Sequence, residues 1–180
     1  GRIEYARAGG RINTDFIDNS GGVDTSDHEV NLKILLGIAV TRGDLTRKQR
    51  DELLAEVAED VTRHVLYDNY TQAQILSQEA AASAERIRDY EDLMLALEAE
   101  GLLDRALEHL PSSEEMAERE RTGAGMVRPE LAVLLAYAKR SLKAALLASS
   151  LPDDPYFERD LRGYFPDLIV ERFGHLLPEH

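Results

Sequence analysis

The apolar and polar positions at the front of the chain predict a helix, a short strand, a loop and a second helix. Residues 3–8 have the pattern of a helix end, and the two glycines at 9–10 stop it. Residues 11–13 form at most one short strand, and residues 14–25 form a polar, glycine-containing loop. A helix is expected from residue 26 to about residue 40.

This loop and the helix after it carry the most informative local chemistry. Gly21 and Gly22 remove the Cβ barrier to unusual backbone angles and let a ligand approach the backbone closely. Ser26 and Glu29 have the spacing of a capping box, which would begin the helix and satisfy its first backbone donors. A helix start that faces outward favours an anion. The simpler alternatives, an ordinary turn for the glycine pair and a cap for Ser26, stay open.

Apolar spacing predicts the buried faces of three helices. The expected faces are Val30, Ile34, Leu35 and Ile38 in the first, Leu53, Val57, Val61 and Val65 in the second, and Ile87, Tyr90, Met94 and Leu97 in the third. The second helix is expected to fray near residues 67–69, and the third to run from about 71 to 100. A short helix is expected over 103–110. The chain is therefore predicted to be mostly α, a multi-helix protein with at most one short strand and a Gly-Gly loop near its N-terminal end.

Local signals also predict where several helices begin. Thr46 and Gln49 have capping-box spacing, and Ser112 or Ser113 can cap an acidic helix. Pro129 suits the first turn of the helix that follows.

Composition narrows the range of partners. The net charge of −13 and the absence of a basic stripe argue against a nucleic-acid-binding surface. The chain has no cysteine, so it has neither disulfides nor a thiolate nucleophile, which fits a reducing cytoplasm. The most apolar run, residues 131–138, is far too short to cross a bilayer, and no membrane partner is expected. Because the chain begins at Gly1 without a methionine, we expect it to be part of a longer protein.

Four neighbouring polar residues have the chemistry of metal ligands: Asp24, Asp27, His28 and Glu29. The pair at 28–29 begins the His-Glu-x-x-His pattern of zinc proteases, but Leu32 stands where the second histidine would be. Acidic residues in a first helical turn more often complement the helix dipole. We therefore expect no metal here.

Two further candidates are weaker. Residues 123–125, Gly-Ala-Gly, resemble a dinucleotide-binding loop, but the third glycine and a preceding strand are missing. His64, His109, His175 and His180 are scattered among helices and have no evident acid or nucleophile partner. Their simplest interpretation is a surface or core-edge position.

The loop resembles a known family. Residues 19–29, Asn-Ser-Gly-Gly-Val-Asp-Thr-Ser-Asp-His-Glu, are similar to the Asn-Ala-Gly-Gly-Val-x-x-Ser-x-x-Glu signature of glutamate dehydrogenases. The wider segment 13–31 resembles the large bacterial NAD-specific branch, as do residues 128–139 and 151–155. The resemblance implies an oxidoreductase that deaminates L-glutamate to 2-oxoglutarate and ammonia with NAD as the cofactor. Ser20 departs from the common alanine of the signature.

The resemblance also implies roles for individual residues. Asn19, Gly21 and Gly22 are expected to bind the cofactor, with Asn19 near its nicotinamide end. Val23 is expected to line the substrate pocket, and the Ser26 hydroxyl to hydrogen-bond the side-chain carboxylate of glutamate. The family's catalytic lysines, aspartate and dinucleotide fold have no counterpart in this chain. No catalytic residue is therefore expected within it, and the chain alone should be inactive.

The resemblance divides the chain into two expected parts. Residues 1–40 would be the closing helix-strand-loop-helix of a catalytic and cofactor core, and residues 41–180 an all-α C-terminal domain. The expected partners are the upstream domains of the same chain and further copies of it in a homo-oligomer. As an alternative, residues 40–180 form a helical interaction, oligomerisation or regulatory module without a catalytic role. An unrelated helical binding protein is a third interpretation.

Overall fold

The computed structural model describes residues 1–179, and within that range the chain is helical without any strand. The α-helices are α1 (Arg2–Arg7), α2 (Asp15–Asp18), α3 (Ser20–Arg42), α4 (Arg47–Glu56), α5 (Ala58–Ala82), α6 (Ile87–Ala99), α7 (Ser113–Thr122), α8 (Arg128–Leu147), α9 (Glu158–Tyr164) and α10 (Asp167–Phe173). Short 3₁₀ helices cover Leu151–Asp153, Pro155–Phe157 and Gly174–Glu179. The predicted mostly-α class is confirmed. No helix in the described part of the chain is both long and apolar enough to span a membrane.

The chain forms two compact units, each built from two separate segments. The first unit contains Gly1–Asp18 and Thr71–Ala148, and the second contains Asn19–Tyr70 and the described residues from Ser149 onward. Helix α5 contributes its first half to the second unit and its last turns to the first. The expected boundary between residues 40 and 41 concerns the domains of a longer protein, and it stays a prediction.

The core of the first unit joins α6 and α8. The four residues predicted for one face of α6, which are Ile87, Tyr90, Met94 and Leu97, are all buried. They belong to one apolar cluster with Leu131 of α8 and its neighbours. The three- and four-residue spacing therefore identified this face correctly.

The core of the second unit is formed by α3, α4, α5 and α10. The predicted residues Leu53, Val57, Val61 and Val65 are all buried in it. The single helix predicted for them is wrong, however, because α4 ends at Glu56 and α5 begins at Ala58, with Val57 between the two. Their cluster also holds Leu32, Leu35, Leu36 and Ala39 of α3, and Phe165, Ile169 and Phe173 from the C-terminal end. On α3, however, the predicted face is only half right, because Leu35 is buried and Ile38 packs against this cluster, whereas Val30 and Ile34 are exposed. Both sides of this helix carry apolar residues, so the pattern alone could not decide between them.

The predicted start of α3 is wrong. The helix begins at Ser20, with Asn19 as its N-terminal flanking residue, so Gly21 and Gly22 lie in its first turn and form no loop. Neither glycine is among the residues with a positive φ angle. Ser26 is consequently inside the helix, and its hydroxyl donates to the Val23 carbonyl oxygen at 2.7 Å. The predicted capping box with Glu29 does not form, because α2 ends just before Asn19 and the chain is already helical by Ser26.

Residues 11–13, for which the sequence allowed at most one short strand, are irregular chain. A strand needs a neighbouring strand for its backbone groups, and the described residues contain none. Side chains hold this segment instead. Arg2 donates to the Asn13 carbonyl oxygen at 3.0 Å, and Arg128 donates to the Asn13 side-chain oxygen at 2.9 Å.

The predicted break between the second and third helices is in the wrong place. Helix α5 does not fray at 67–69 but continues to Ala82, and the break falls at 83–86. Ser83 explains the position, because its hydroxyl oxygen accepts from the Met126 backbone N–H at 3.1 Å. Gly125 permits this contact, since a Cβ there would lie 2.1 Å from the Ser83 hydroxyl oxygen. Packing therefore explains this glycine of the 123–125 segment.

Residues 105–109 form turns within the segment 103–110, where a short helix was expected. Arg105 accounts for this arrangement, because its guanidinium donates to Glu91 at 2.8 Å and to Glu98 at 2.9 Å, both on α6. It also donates to the Pro111 carbonyl oxygen at 3.3 Å. His109 completes the turn with a φ of 55°.

The helix starts that depend on local chemistry are confirmed. Thr46 with Gln49, and Ser112 with Glu115, form complete capping boxes at the starts of α4 and α7. Pro129 lies in the first turn of α8.

Candidate functional site

Four of the five predicted site residues share one exposed side of α3. Asn19, Gly22, Val23 and Ser26 are spaced as i, i+3, i+4 and i+7, and all four are exposed. We call this surface the outer face of α3. The side chain spacing places Ser26 one helical turn from Val23. The structure thus brings a hydroxyl, an apolar side chain, an amide and a bare stretch of backbone together.

Gly21, the fifth predicted residue, lies on a different side of the helix and faces α5. A Cβ at this position would lie 3.5 Å from the Asn69 amide nitrogen and 3.7 Å from a Val65 methyl carbon. Ser20 donates to the Asn69 side-chain oxygen, and Asn69 in turn donates to the Val65 carbonyl oxygen at 2.7 Å. These contacts fasten the start of α3 to α5. The sequence offered no signal for Asn69, because it lies 49 residues from Ser20.

The internal packing of the protein does not account for the two glycines. Their backbone is helical, and a Cβ at either position would make only ordinary van der Waals contacts, the nearest to Gly22 being the Asn19 side-chain oxygen at 3.6 Å. A glycine in a helix costs up to about 1 kcal/mol relative to alanine. Gly22 instead leaves part of the backbone on the outer face uncovered by a side chain.

Beneath the outer face, α3 buries an ionisable side chain. The side chain of His28 is 2% exposed, and its ring stacks on Tyr164 with centroids 4.3 Å apart and an angle of 11° between the planes. Asn31 donates to the Tyr164 hydroxyl at 3.1 Å and so helps to hold that ring in place. Burial lowers the pKa of His28 below its ordinary value, although the charge of Asp24 acts in the opposite direction.

Three potential ligand groups converge around this histidine. A carboxylate oxygen of Asp24, a ring nitrogen of His28 and a carboxylate oxygen of Asp68 all lie within 4.8 Å of one another. Of the metal-ligand candidates considered from the sequence, only Asp24 and His28 take part. Glu29 pairs with Lys33, and Asp27 is exposed. Asp68 lies on α5, so no local pattern could have identified it.

The first unit contains a separate cleft of about 730 Å³. It is lined by Arg11, Ile12, Asn13, Asp18, Ser77, Ala80 and Arg128. Arg128 is already engaged there, because it donates to Asn13 and, at 2.8 Å, to the Ser77 hydroxyl. None of the five predicted site residues lines this cleft.

The other histidines occupy different surroundings. The ring of His64 lies 5.6 Å from that of His28, centroid to centroid, on the neighbouring helix α5. His109 and His175 are exposed, as the sequence interpretation expected for a surface residue. His180 lies outside the described residues.

Comparison with protein families gives two matches. Residues 1–79 match the family described as bacterial NAD-glutamate dehydrogenase, catalytic domain. Residues 123–180 match the family described as glutamate dehydrogenase, C-terminal. Together the two matches span more than half of the chain, and the first includes the whole outer face of α3.

Curated relatives agree with the family matches. The chain is 52% identical over 179 residues to the NAD-specific glutamate dehydrogenase of Pseudomonas aeruginosa, and 50% identical over 180 residues to that of Halomonas elongata. It is 42% identical over 180 residues to the protein of the same name from Mycobacterium tuberculosis. These alignments cover 99–100% of this chain but 11% of each relative. The chain thus spans about a tenth of the length of the curated relatives it matches.

Proposed function

This chain belongs to the bacterial NAD-glutamate dehydrogenase family, and from that premise we propose that it forms one wall of a glutamate-oxidising active site. The reaction is the oxidative deamination of L-glutamate to 2-oxoglutarate and ammonia with NAD. The observation that carries this proposal is the outer face of α3, where Asn19, Gly22, Val23 and Ser26 lie together and exposed. The reaction takes place in the cytoplasm in this proposal.

Ser26 and Val23 bind the substrate in this proposal. The Ser26 hydroxyl has a single proton, which now goes to the Val23 carbonyl oxygen at 2.7 Å. Rotation about the Cα–Cβ bond would redirect this proton to the side-chain carboxylate of glutamate, a stronger acceptor because it is charged. Val23, one turn earlier on the same face, packs against the methylene groups of the substrate.

Asn19, Gly21 and Gly22 serve the cofactor in this proposal. The Asn19 amide hydrogen-bonds the nicotinamide end, and the bare backbone at Gly22 allows the cofactor to approach closely. Gly21 faces α5, where a Cβ would make only ordinary contacts with Val65 and Asn69, and in this proposal it serves the cofactor by adding to the bare backbone of the first turn of α3. NAD, when bound, accepts the hydride from glutamate. The residues of this chain bind and orient, and the groups that move protons belong to other parts of the longer protein.

Replacement of Ser26 tests the substrate role. In the full-length protein, Ser26→Ala should raise the KM for glutamate by about 10- to 100-fold, because a hydrogen bond to a charged group contributes roughly 1.5–3 kcal/mol. The KM for NAD should stay within about twofold. Steady-state kinetics with each substrate varied in turn measures both constants.

Thr25→Val is the matched control for this variant. Thr25 is also exposed, and its hydroxyl also donates to a backbone carbonyl, that of Gly21 at 2.7 Å, but it is not one of the outer-face residues. Its replacement should leave both KM values unchanged. An equal loss for glutamate and NAD in Ser26→Ala, or no loss at all, would contradict the role proposed for Ser26.

A second candidate function is self-association through the helical part of the chain. The end of α8 exposes Leu142 and Leu146, which lie four residues apart on one side of the helix, and also Leu147 next to them. Such an apolar stripe suits contact with another copy of the protein. Light scattering of the full-length protein should give a multiple of the subunit mass, and the double variant Leu142→Glu/Leu146→Glu should reduce it. An unchanged mass in the double variant would contradict this role.

A further inference from the structure

His28 is buried in a way that the packing of the protein leaves unexplained. Neither ring nitrogen has a hydrogen-bond partner among residues 1–179, although the residue is only 1% exposed. A buried polar group without a partner costs free energy, so such groups in folded proteins are almost always satisfied by some interaction. The stacked Tyr164 ring covers one side of the imidazole and supplies no acceptor for its nitrogens.

The two nearest acidic groups are close to His28 but not at hydrogen-bonding distance. The Nε2 atom lies 3.8 Å from a carboxylate oxygen of Asp24, four residues earlier on α3. Asp68 reaches the same place from α5, so that one ligand atom from each of the three residues lies within 4.8 Å of the other two. Around a tetrahedral zinc ion, with ligand distances of about 2.0–2.2 Å, neighbouring ligand atoms are roughly 3.4 Å apart. Small side-chain shifts would therefore close the site.

We propose that Asp24, His28 and Asp68 bind one divalent transition-metal ion of the zinc type. The donor set decides the class of ion, because an imidazole nitrogen suits zinc, whereas magnesium and calcium prefer oxygen ligands alone. Two carboxylates balance the charge of the ion. The fourth position is available to a water molecule or to His64, whose ring lies 5.6 Å from that of His28.

The ion would serve the structure of the second unit. It would join the second and third turns of α3 to α5, close to the Ser20–Asn69 hydrogen bond, and so hold the first part of α3 at two points. The expectation from sequence was that no metal binds here, and it considered only residues 24–29. The added ligand is Asp68, which tertiary structure brings to the site. This proposal does not depend on glutamate oxidation, because its test measures metal uptake.

Zinc titration of the metal-free, full-length protein tests the proposal. The protein is stripped with a chelator, and Zn²⁺ is added in competition with a chromophoric chelator, so that the number of bound equivalents is read directly. His28→Gln and Asp68→Asn should each bind one equivalent per chain fewer than the unaltered protein. Asp68 is exposed, so Asp68→Asn retains the fold even if the buried His28 replacement does not.

Two control variants make the same chemical changes outside the site. Asp27→Asn removes a nearby charge on α3, and His175→Gln removes an exposed imidazole from the same unit. Both should keep the full zinc stoichiometry. Replacement of Zn²⁺ by Co²⁺ should give visible absorption that Asp68→Asn lacks.

Equal zinc stoichiometry in the unaltered protein and in Asp68→Asn would overturn the proposal. Loss of the same equivalent in Asp27→Asn would overturn it as well, because zinc would then respond to general negative charge and not to these three ligands. Altered kinetics in Ser26→Ala have no bearing on either result, so failure of the metal proposal and failure of the proposed function can be told apart.

Discussion

Glu130 in the first unit and His28 in the second are both buried ionisable side chains, but their surroundings differ completely. Glu130 is 0% exposed and accepts two hydrogen bonds from Arg119, at 2.7 and 2.8 Å. It also accepts from Arg7 at 2.9 Å and from the Val127 backbone N–H at 3.0 Å. His28 has no hydrogen-bond partner for either nitrogen within the described residues. The fold therefore accounts for the burial of Glu130, whereas the burial of His28 calls for a further binding partner.

The pKa of each group reflects this difference. Burial alone would raise the pKa of Glu130, but the hydrogen bonds from Arg119, Val127 and Arg7 outweigh it and hold the pKa below its ordinary value. Glu130 therefore stays charged and joins α1, α7 and α8 through its partners. For His28, burial dominates and lowers the pKa, so that the neutral ring is favoured. A buried charge with a full set of donors points to a structural role, and a neutral buried ring without partners points to a ligand.

The largest effect is expected for Glu130→Leu. This change keeps the side-chain volume but leaves the guanidinium of Arg119, whose side chain is largely buried, without its carboxylate. Removal of one partner of a buried ion pair destabilises by about 3–5 kcal/mol, and we expect about 3 kcal/mol because Arg7 remains partly exposed. Hydrogen exchange of peptides from α8 in the full-length protein measures the local free energy of opening.

Glu118→Leu is the control for this variant, since its partner Arg121 and Glu118 itself are both exposed. It should leave the opening free energy almost unchanged, because an ion pair between two exposed side chains contributes little. The free energy that Glu130 contributes to stability should also depend on pH. Because the folded pKa is lowered, the stabilisation is complete above the unfolded value of about 4.3 and is lost as the pH falls through the folded pKa. The difference between the unaltered protein and Glu130→Leu should therefore shrink below about pH 4.3, and a constant difference would contradict the pairing.

A smaller effect is expected for the matched change His28→Leu. In the metal-free protein this substitution replaces an imidazole whose nitrogens have no hydrogen-bond partner with an apolar side chain of similar size. Replacement of such a group can be nearly neutral, so the opening free energy of α3 peptides should change by no more than about 1 kcal/mol. A loss as large as that of Glu130→Leu would mean that His28 is satisfied within the protein, and the contrast between the two sites would disappear.

The parts of the fold that the sequence predicted correctly depend on residues close together along the chain. The capping boxes at Thr46 and Ser112 each involve a partner three residues away. The buried face of α6 follows from the spacing of its own apolar residues. The candidate site was found in the same way, because its motif is continuous between Asn19 and Glu29. The roles assigned to Val23, Ser26 and the glycines in this site stay predictions until substitutions test them.

The predictions that were wrong involve contacts between distant segments. The break after α5 depends on Ser83 and Met126, which are 43 residues apart. The start of α3 at Ser20 is fastened by Asn69, and its buried face is selected by residues near the C-terminal end. A local motif such as Ser-x-x-Glu was compatible with a helix start at Ser26, but Ser26 lies within a helix that was already formed.

The sequence by itself therefore determined the helical class, the helix starts marked by capping boxes and by Pro129, and the family resemblance from which the outer-face residues were named. These properties depend on hydrogen bonds and apolar spacing within a few residues, which any chain of this sequence forms locally. Tertiary structure decided which side of α3 is exposed, and it alone brought Asp68 to Asp24 and His28. Burial and desolvation arise only when distant segments pack together, and for that reason neither could be read from local pattern.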